Sequence, residues 1–208
     1  MTIKAILFDM DGVLIEAKDW HYEALNKALH LFGMPIDRHA HLATFDGLPT
    51  KKKLEILGLT HGLPAQLHGF INEMKQSFTE TLVYSRCRPT FHHQYALSKL
   101  KANGYKIAVC SNSIRATVSL MMRLSSLDRY LDFQLSNEDV EKAKPAPDIY
   151  LEAMRRLNLA PHECLIVEDN DHGFQAAQAS GGHVMRVGTT EDVTFDRINA
   201  TIADIQGI

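Results

Sequence analysis

Two carboxylates, Asp9 and Asp11, close an apolar run near the start of the chain, Lys4-Ala-Ile-Leu-Phe-Asp-Met-Asp-Gly-Val-Leu14. Residues two apart on an extended backbone share a face, so both carboxyl groups can converge on one point. Placed together they repel unless something positive lies between them, and an oxygen-seeking divalent cation, Mg2+ above all, suits that place. Asp and Gly are also ordinary turn residues after a strand, so this pair alone is weak, and its company makes the case. Ser111-Asn112 follows a second apolar run, Glu168-Asp169 a third, and Lys144 stands in the proline-stiffened loop Lys144-Pro-Ala-Pro-Asp148. A phosphate monoester set among these groups would have its charge held by the hydroxyl and amides of Ser111 and Asn112 and by the Lys144 ammonium. A metal held by Asp9, Asp169 and Glu168 would offset the repulsion between an attacking carboxylate and an anionic phosphoryl group. One carboxylate can then attack phosphorus, while a second protonates the leaving alkoxide and later activates water. Spacing leaves open which of Asp9 and Asp11 takes which part.

For these groups to meet, the elements before them must run side by side. Residues 3–8, 105–110, 132–136, 164–167 and 183–187 read as short buried strands, with helical periodicity between them. Alternation of this kind predicts an α/β fold, a Rossmann-like, doubly wound and mostly parallel sheet. Such sheets bind ligands at the carboxyl ends of their strands, where Asp9, Ser111 and Glu168 fall. Residues 16–85 break the alternation. Helical spacing over 20–32 ends at Gly33 and Pro35, a helix opened by Pro49 closes at Gly58, and a long helix from Pro64 to Ser85 turns Leu67, Phe70, Ile71, Met74, Phe78 and Leu82 to one side. The organisation expected is a core of residues 1–15 and 86–208 carrying an inserted helical block, 16–85. Further along, His92-His93 is expected at the surface of a helix start, Asp148 as the cap of the next helix, and a short strand near residues 200–203.

Bulk properties narrow the function classes. With 45% hydrophobic and 23% charged residues over 208 positions, the chain is ordinary for a globular protein. A formal net charge of -3, with no basic tract longer than Lys51-Lys52-Lys53, gives no nucleic-acid footprint. No stretch is long enough to span a bilayer and no signal-peptide pattern opens the chain, so no membrane partner and a cytoplasmic location are expected. Three cysteines lack metal spacing, and two sit in apolar strand-like runs as buried thiols, which suits a reducing compartment.

The set Asp9-Met-Asp11-Gly-Val, Ser111-Asn112, Lys144-Pro-Ala-Pro-Asp148 and Glu168-Asp169 resembles the haloacid dehalogenase superfamily, in particular its β-phosphoglucomutase-like phosphatases with a helical cap. The resemblance implies that Asp9 is the nucleophile and a Mg2+ ligand. It makes Asp11 the general acid/base, offering the metal its backbone carbonyl. Ser111 and Lys144 would bind the transferring phosphoryl group, and Asp169 with Glu168 would complete the metal site. It also makes residues 16–85 a mobile cap that closes over substrate. Gly47-Leu-Pro-Thr-Lys51 resembles the cap's specificity loop, with Lys51 able to reach an anionic or hydroxyl-rich substrate, and His21 stands where mutases and many phosphatases of the family carry a histidine. An aspartate at position 11 argues against carbon–halogen or phosphonate cleavage. Asn170 and Ala143 stand where relatives often have serine or threonine, and glycine.

The activity expected is a Mg2+-dependent phosphatase of a small phosphorylated metabolite, a sugar or polyol phosphate, acting as a monomer or weak oligomer. A phosphosugar mutase is the rival within the same chemistry, though Thr50 stands near the place of the arginine expected there. A non-catalytic phospho-ligand binding module is the rival of another class; a receiver-type signalling domain would lack the helical insertion.

Overall fold

A computed structural model describes residues 2–207. In chain order it holds β1 (Ala5–Phe8), α1 (Lys18–His30), α2 (Arg38–Ala40) running into a π-helical turn at His41–Phe45, α3 (Thr50–His61) and α4 (His68–Arg86). There follow α5 (Phe91–Ala102), β2 (Lys106–Cys110), α6 (Arg115–Leu124), β3 (Phe133–Leu135), α7 (Asp148–Leu157), β4 (Cys164–Glu168), α8 (Asp171–Ser180), β5 (His183–Arg186) and α9 (Phe195–Gln206). The chain forms two compact units, one up to Glu16 and from Arg88 onward, the other Ala17–Cys87.

The first unit is the α/β fold expected. Its five strands pair in parallel in the order β3-β2-β1-β4-β5. β1 is central, with Phe8 level with Val109 on one side and Val167 on the other. All four of its residues are buried, as a strand covered on both faces requires. The chain adds β2 and β3 on one side of β1, then crosses to β4 and β5 on the other. The order therefore reverses beside β1, which is where a doubly wound sheet opens a crevice at its carboxyl edge. One apolar cluster under the sheet joins Leu7, Ala108, Leu135, Tyr150, Ile166 and Ala176.

The second unit is helical, with no strand among its described residues. Leu25, Ala28 and Leu29 of α1 bury against Leu54 and Leu57 of α3 and Ile71 of α4, which is the i, i+3, i+4 stripe that makes a helix fold onto its neighbours.

Several local expectations are corrected. Gly58 lies inside α3, which ends at Gly62 in the left-handed region (φ 71); a lone interior glycine costs about 1 kcal/mol and the buried Leu57 outweighs it. The long helix begins at His68 after a 3-10 turn at Ala65–Leu67, and Phe70 is half exposed, not inward. Asp148 does not cap α7: Pro147 precedes it and makes no side-chain cap bond, so Asp148 serves in the first turn, where its charge faces the positive end of the helix dipole. The strand near 200–203 is the middle of α9, whose Ile198 and Ile202 are buried four residues apart and whose Thr194 side chain accepts from the Arg197 N–H at 3.3 Å. His93 is buried rather than on the surface. Its Nε2 donates to the Thr190 carbonyl at 3.0 Å and its Nδ1 faces the Thr90 hydroxyl at 2.8 Å, so Nε2 carries a proton.

Candidate active site

Each strand delivers its polar residue by running out of sheet. Beyond β1 the ladder continues for one residue, the Asp9 N–H donating to Val167 O at 3.0 Å, and Met10 then turns into the core. The chain reverses at Gly12 (φ 89), whose N–H donates to Ile15 O at 2.7 Å. A left-handed residue is needed there, and glycine adopts it without strain. That turn leaves Asp11 at the rim, where its Oδ2 accepts from the Ser113 hydroxyl at 3.0 Å. Ser111 follows β2, its N–H donating to Leu135 O at 3.0 Å and its hydroxyl oxygen accepting from the Ser113 N–H at 3.0 Å. Glu168 is the last residue of β4 and Asp169 follows it, and Asn170 caps α8 through the Gly173 N–H at 3.0 Å while its Nδ2 donates to Asp169 Oδ1 at 3.0 Å. Asparagine at this place thus does the capping that serine or threonine would do, and also steadies Asp169.

Lys144 arrives from the loop before α7, where Lys144-Pro145 is a cis peptide. Its main chain is held by the Asn112 side chain: the Lys144 N–H donates to Asn112 Oδ1 at 3.0 Å and Asn112 Nδ2 donates to Lys144 O at 3.2 Å. Asn137 Nδ2 in turn donates to Asn112 O at 2.8 Å. The side chain of Asn112, expected to bind substrate, is therefore engaged with the lysine loop.

The Lys144 ammonium bridges Asp9 Oδ1 at 2.6 Å and Glu168 Oε1 at 2.7 Å, all three side chains being buried. Tyr150 OH also donates to Glu168 Oε1. Burial pushes the Asp9 pKa well up; the Lys144 charge opposes this, and Glu168, Asp169 and Asp11 add to the rise. For Lys144, burial works against the charged form, but Asp9 and Glu168 outweigh it and hold its pKa above the usual lysine value. Burial, then the neighbouring Glu168 charge, pushes the Tyr150 hydroxyl well up, so it stays a neutral donor.

The structure thus brings together Asp9, Asp11, Ser111, Asn112, Lys144, Glu168 and Asp169 at one sheet edge. One oxygen from each of Asp9, Glu168 and Asp169 lies within 4.8 Å of the others, a spacing at which a hard cation can take all three. His21, Gly47 and Lys51 belong to the helical unit. There His21 Nδ1 lies 3.4 Å from Lys75 Nζ, Gly47 takes a left-handed turn (φ 72), and Lys51 is exposed. Three contributors escaped the sequence reading: Ser113 on Asp11, Tyr150 on Glu168, and Gly173 behind Glu168. Each lies close in sequence to a residue that was read (two after Ser111, two after Asp148, three after Asn170), but only the fold shows what it touches.

A family model of haloacid dehalogenase-like hydrolases matches residues 6–187. The chain belongs to this family of hydrolases. Among its relatives, a phosphorylated carbohydrates phosphatase of Thermotoga maritima is 28% identical over 183 residues, covering 86% of this chain and 82% of that protein. The pyrophosphatase PpaX of Bacillus anthracis is 27% identical over 203 residues, covering 91% and 85%. In fold, the chain is similar to a β-phosphoglucomutase of Clostridium difficile, with a TM-score of 0.86 at 21% identity over the whole of both chains. It is likewise similar to CbbY of Rhodobacter sphaeroides bound to phosphate, with a TM-score of 0.80 at 24% identity, covering 89% and 86%. Among the described residues no helix is long and apolar enough to cross a membrane.

Proposed function

We propose that this hydrolase is a Mg2+-dependent phosphatase that removes phosphate from a small phosphorylated sugar or polyol through an aspartyl-phosphate at Asp9. The observation that carries the reading is the buried Asp9–Lys144–Glu168 network beside an Asp11 oriented by Ser113. The relatives' names, a phosphorylated-carbohydrate phosphatase and a pyrophosphatase, agree with phosphoryl transfer to water.

The donor set fits Mg2+. Asp9, Glu168 and Asp169 supply hard carboxylate oxygens in one cluster, three acidic groups against the one ammonium of Lys144. Asp9 and Asp169 with Glu168 would hold the ion, with the Asp11 main-chain carbonyl as a further oxygen ligand. When bound, the ion supplies positive charge that lets a carboxylate approach an anionic phosphoryl group.

The chain's own groups do the rest. An Asp9 oxygen forms a bond to phosphorus as the bond from phosphorus to the sugar oxygen breaks, and Asp11 gives its proton to the departing alkoxide. Asp11, then ionised, takes a proton from water as that water attacks phosphorus. The Asp9–phosphorus bond breaks, releasing inorganic phosphate and restoring the carboxylate. Ser111 and the Lys144 ammonium hold phosphoryl oxygens throughout, and Lys144 reaches Asp9 without moving. Asn112 serves by fixing the Lys144 loop. His21, Gly47 and Lys51 are the proposed substrate-selecting residues of the helical unit.

Phosphate release with Mg2+ across sugar, polyol and nucleotide monophosphates, with EDTA and Asp9→Asn protein beside it, tests the proposal. It expects release from one substrate class, lost with either control. Isomerisation of a β-sugar 1-phosphate without release would make the protein a mutase, and inertness on both counts would make it a binding module.

A further inference from the structure

Glu168 has no exposed surface, and three donors meet its carboxylate: Lys144 Nζ and Tyr150 OH on Oε1, and the Asp169 N–H on Oε2 at 3.2 Å. Tyr150 is itself wholly buried in the first turn of α7, and its ring centroid lies 4.9 Å from the Lys144 ammonium. Behind the carboxylate lies Gly173, in the first turn of α8. A Cβ there would overlap Oε1, Cδ and Oε2 of Glu168. The carboxylate is therefore clamped between a hydroxyl from one helix and bare backbone from another.

We propose that Tyr150 and Gly173 are positioning residues that fix the Glu168 carboxylate, so that its Oε1 holds Lys144 on Asp9 while the cluster keeps its affinity for a cation. A glutamate side chain has three rotatable bonds, and a buried carboxylate held by one donor is free to turn away from it. A second donor on the same oxygen, and no room behind, remove that freedom. The chemistry of the second donor matters too. A buried carboxylate needs hydrogen-bond partners, but an added lysine or arginine would cancel the negative charge that draws a divalent ion. A tyrosine hydroxyl supplies the bond and leaves the charge in place.

The proposal rests on the phosphatase reading for its effect on turnover, while the clamp itself is testable by metal binding alone. The test is a double-mutant cycle on the full chain with Tyr150→Phe, Glu168→Gln and the pair. Isothermal titration with MgCl2, melting temperature, and kcat and KM are read for each. Tyr150→Phe keeps the ring and its packing, so the expected result is about tenfold lower kcat and about tenfold weaker Mg2+ binding, with KM changed less than about twofold. In the Glu168→Gln background the same substitution is expected to change neither by more than about twofold, because a residue acting through Glu168 loses its effect when that carboxylate is gone. A fall in melting temperature with unchanged Mg2+ affinity and kcat would overturn the proposal, as would losses that simply add. Should the Tyr150→Phe protein fail to fold, Gly173→Ala carries the same readings: weaker Mg2+ binding supports the clamp and wild-type values overturn it. If the wild type releases phosphate from no substrate, the phosphatase reading fails, and the Mg2+ titrations still judge the clamp.

Discussion

At the carboxyl edge of the sheet, Lys144 joins Asp9 at 2.6 Å and Glu168 at 2.7 Å with none of the three side chains more than 7% exposed. In the helical unit, the pairs of Glu23 with Lys27 at 3.0 Å and with Arg86 at 2.8 Å, and of Lys52 with Glu55 at 3.3 Å, have similar lengths but lie in solvent. Distance alone therefore does not separate them. Exposed pairs are screened by water and contribute about 0–1 kcal/mol each. Buried charges are worth little to stability as an intact set, yet removing one member leaves the others desolvated and uncompensated. In the proposed mechanism the edge network is a functional arrangement that the α/β scaffold must hold in place, while the helical unit's surface pairs are parts of a solvated face.

The sharpest way to break this contrast is to delete the central charge. Lys144→Met is expected to lower stability by about 3–5 kcal/mol and kcat by about 10²–10³-fold, read by urea unfolding and phosphate release; a stable, active variant would end the distinction. A smaller effect comes from pH and sets one buried histidine of each unit side by side. Burial depresses the pKa of His93 to about 4, with the His92 ring adding to the effect, and burial depresses that of His41 to about 3, with Lys53 adding to it. Both folded values lie below the unfolded value near 6.5, so the unfolded chain binds more protons in between. Stability from these residues is complete above about pH 6.5 and falls as pH drops, through about 4 for His93 and about 3 for His41. His93→Gln is expected to flatten the decline of unfolding free energy between about pH 6.5 and 4, by up to about 3 kcal/mol at the low end, read by urea unfolding; an unchanged slope would show that His93 is not held neutral.

Smaller again is Ser113→Ala. It removes one hydrogen bond to a carboxylate and is expected to lower kcat about tenfold with little change in stability, so a kcat within twofold of wild type would remove Ser113 from the orientation of Asp11. At the bottom of the scale, Lys52→Ala deletes an exposed pair and is expected to shift stability by less than about 0.5 kcal/mol. A larger loss on chemical unfolding would mean that the surface pairs are not interchangeable.

What the sequence reveals of this arrangement follows from the range of the interactions. The strands are legible because a strand buried on both faces must be a continuous apolar run, and the run must stop where polar groups begin. Asp9, Ser111 and Glu168 are found for that reason, and Lys144 because prolines mark its loop. The contacts among them are not legible. Ser113 meets Asp11 across 102 positions and Tyr150 meets Glu168 across 18, and nothing local to a serine or a tyrosine says so. His93 is misread for the same reason: Thr190, the carbonyl that lets it be buried, lies 97 positions away. The end of the chain fails differently. Ile198 and Ile202 are a helical pair with few apolar companions, so a short window around 200–203 looks like a strand. Gly58 shows the converse error, a residue with a strong local preference overruled by the packing of Leu54 and Leu57.

The most direct test of the central claim is to catch phosphate on Asp9. Asp11→Asn removes the group that activates water, and p-nitrophenyl phosphate has a leaving group that needs no proton, so formation should outrun hydrolysis. Acid quenching followed by peptide mass spectrometry is expected to find one phosphoryl group on the peptide bearing Asp9, dependent on Mg2+ and absent when Asp9 is also replaced by Asn. Phosphate release by the wild type with Asp9 never labelled, or with the label on another residue, would contradict the account.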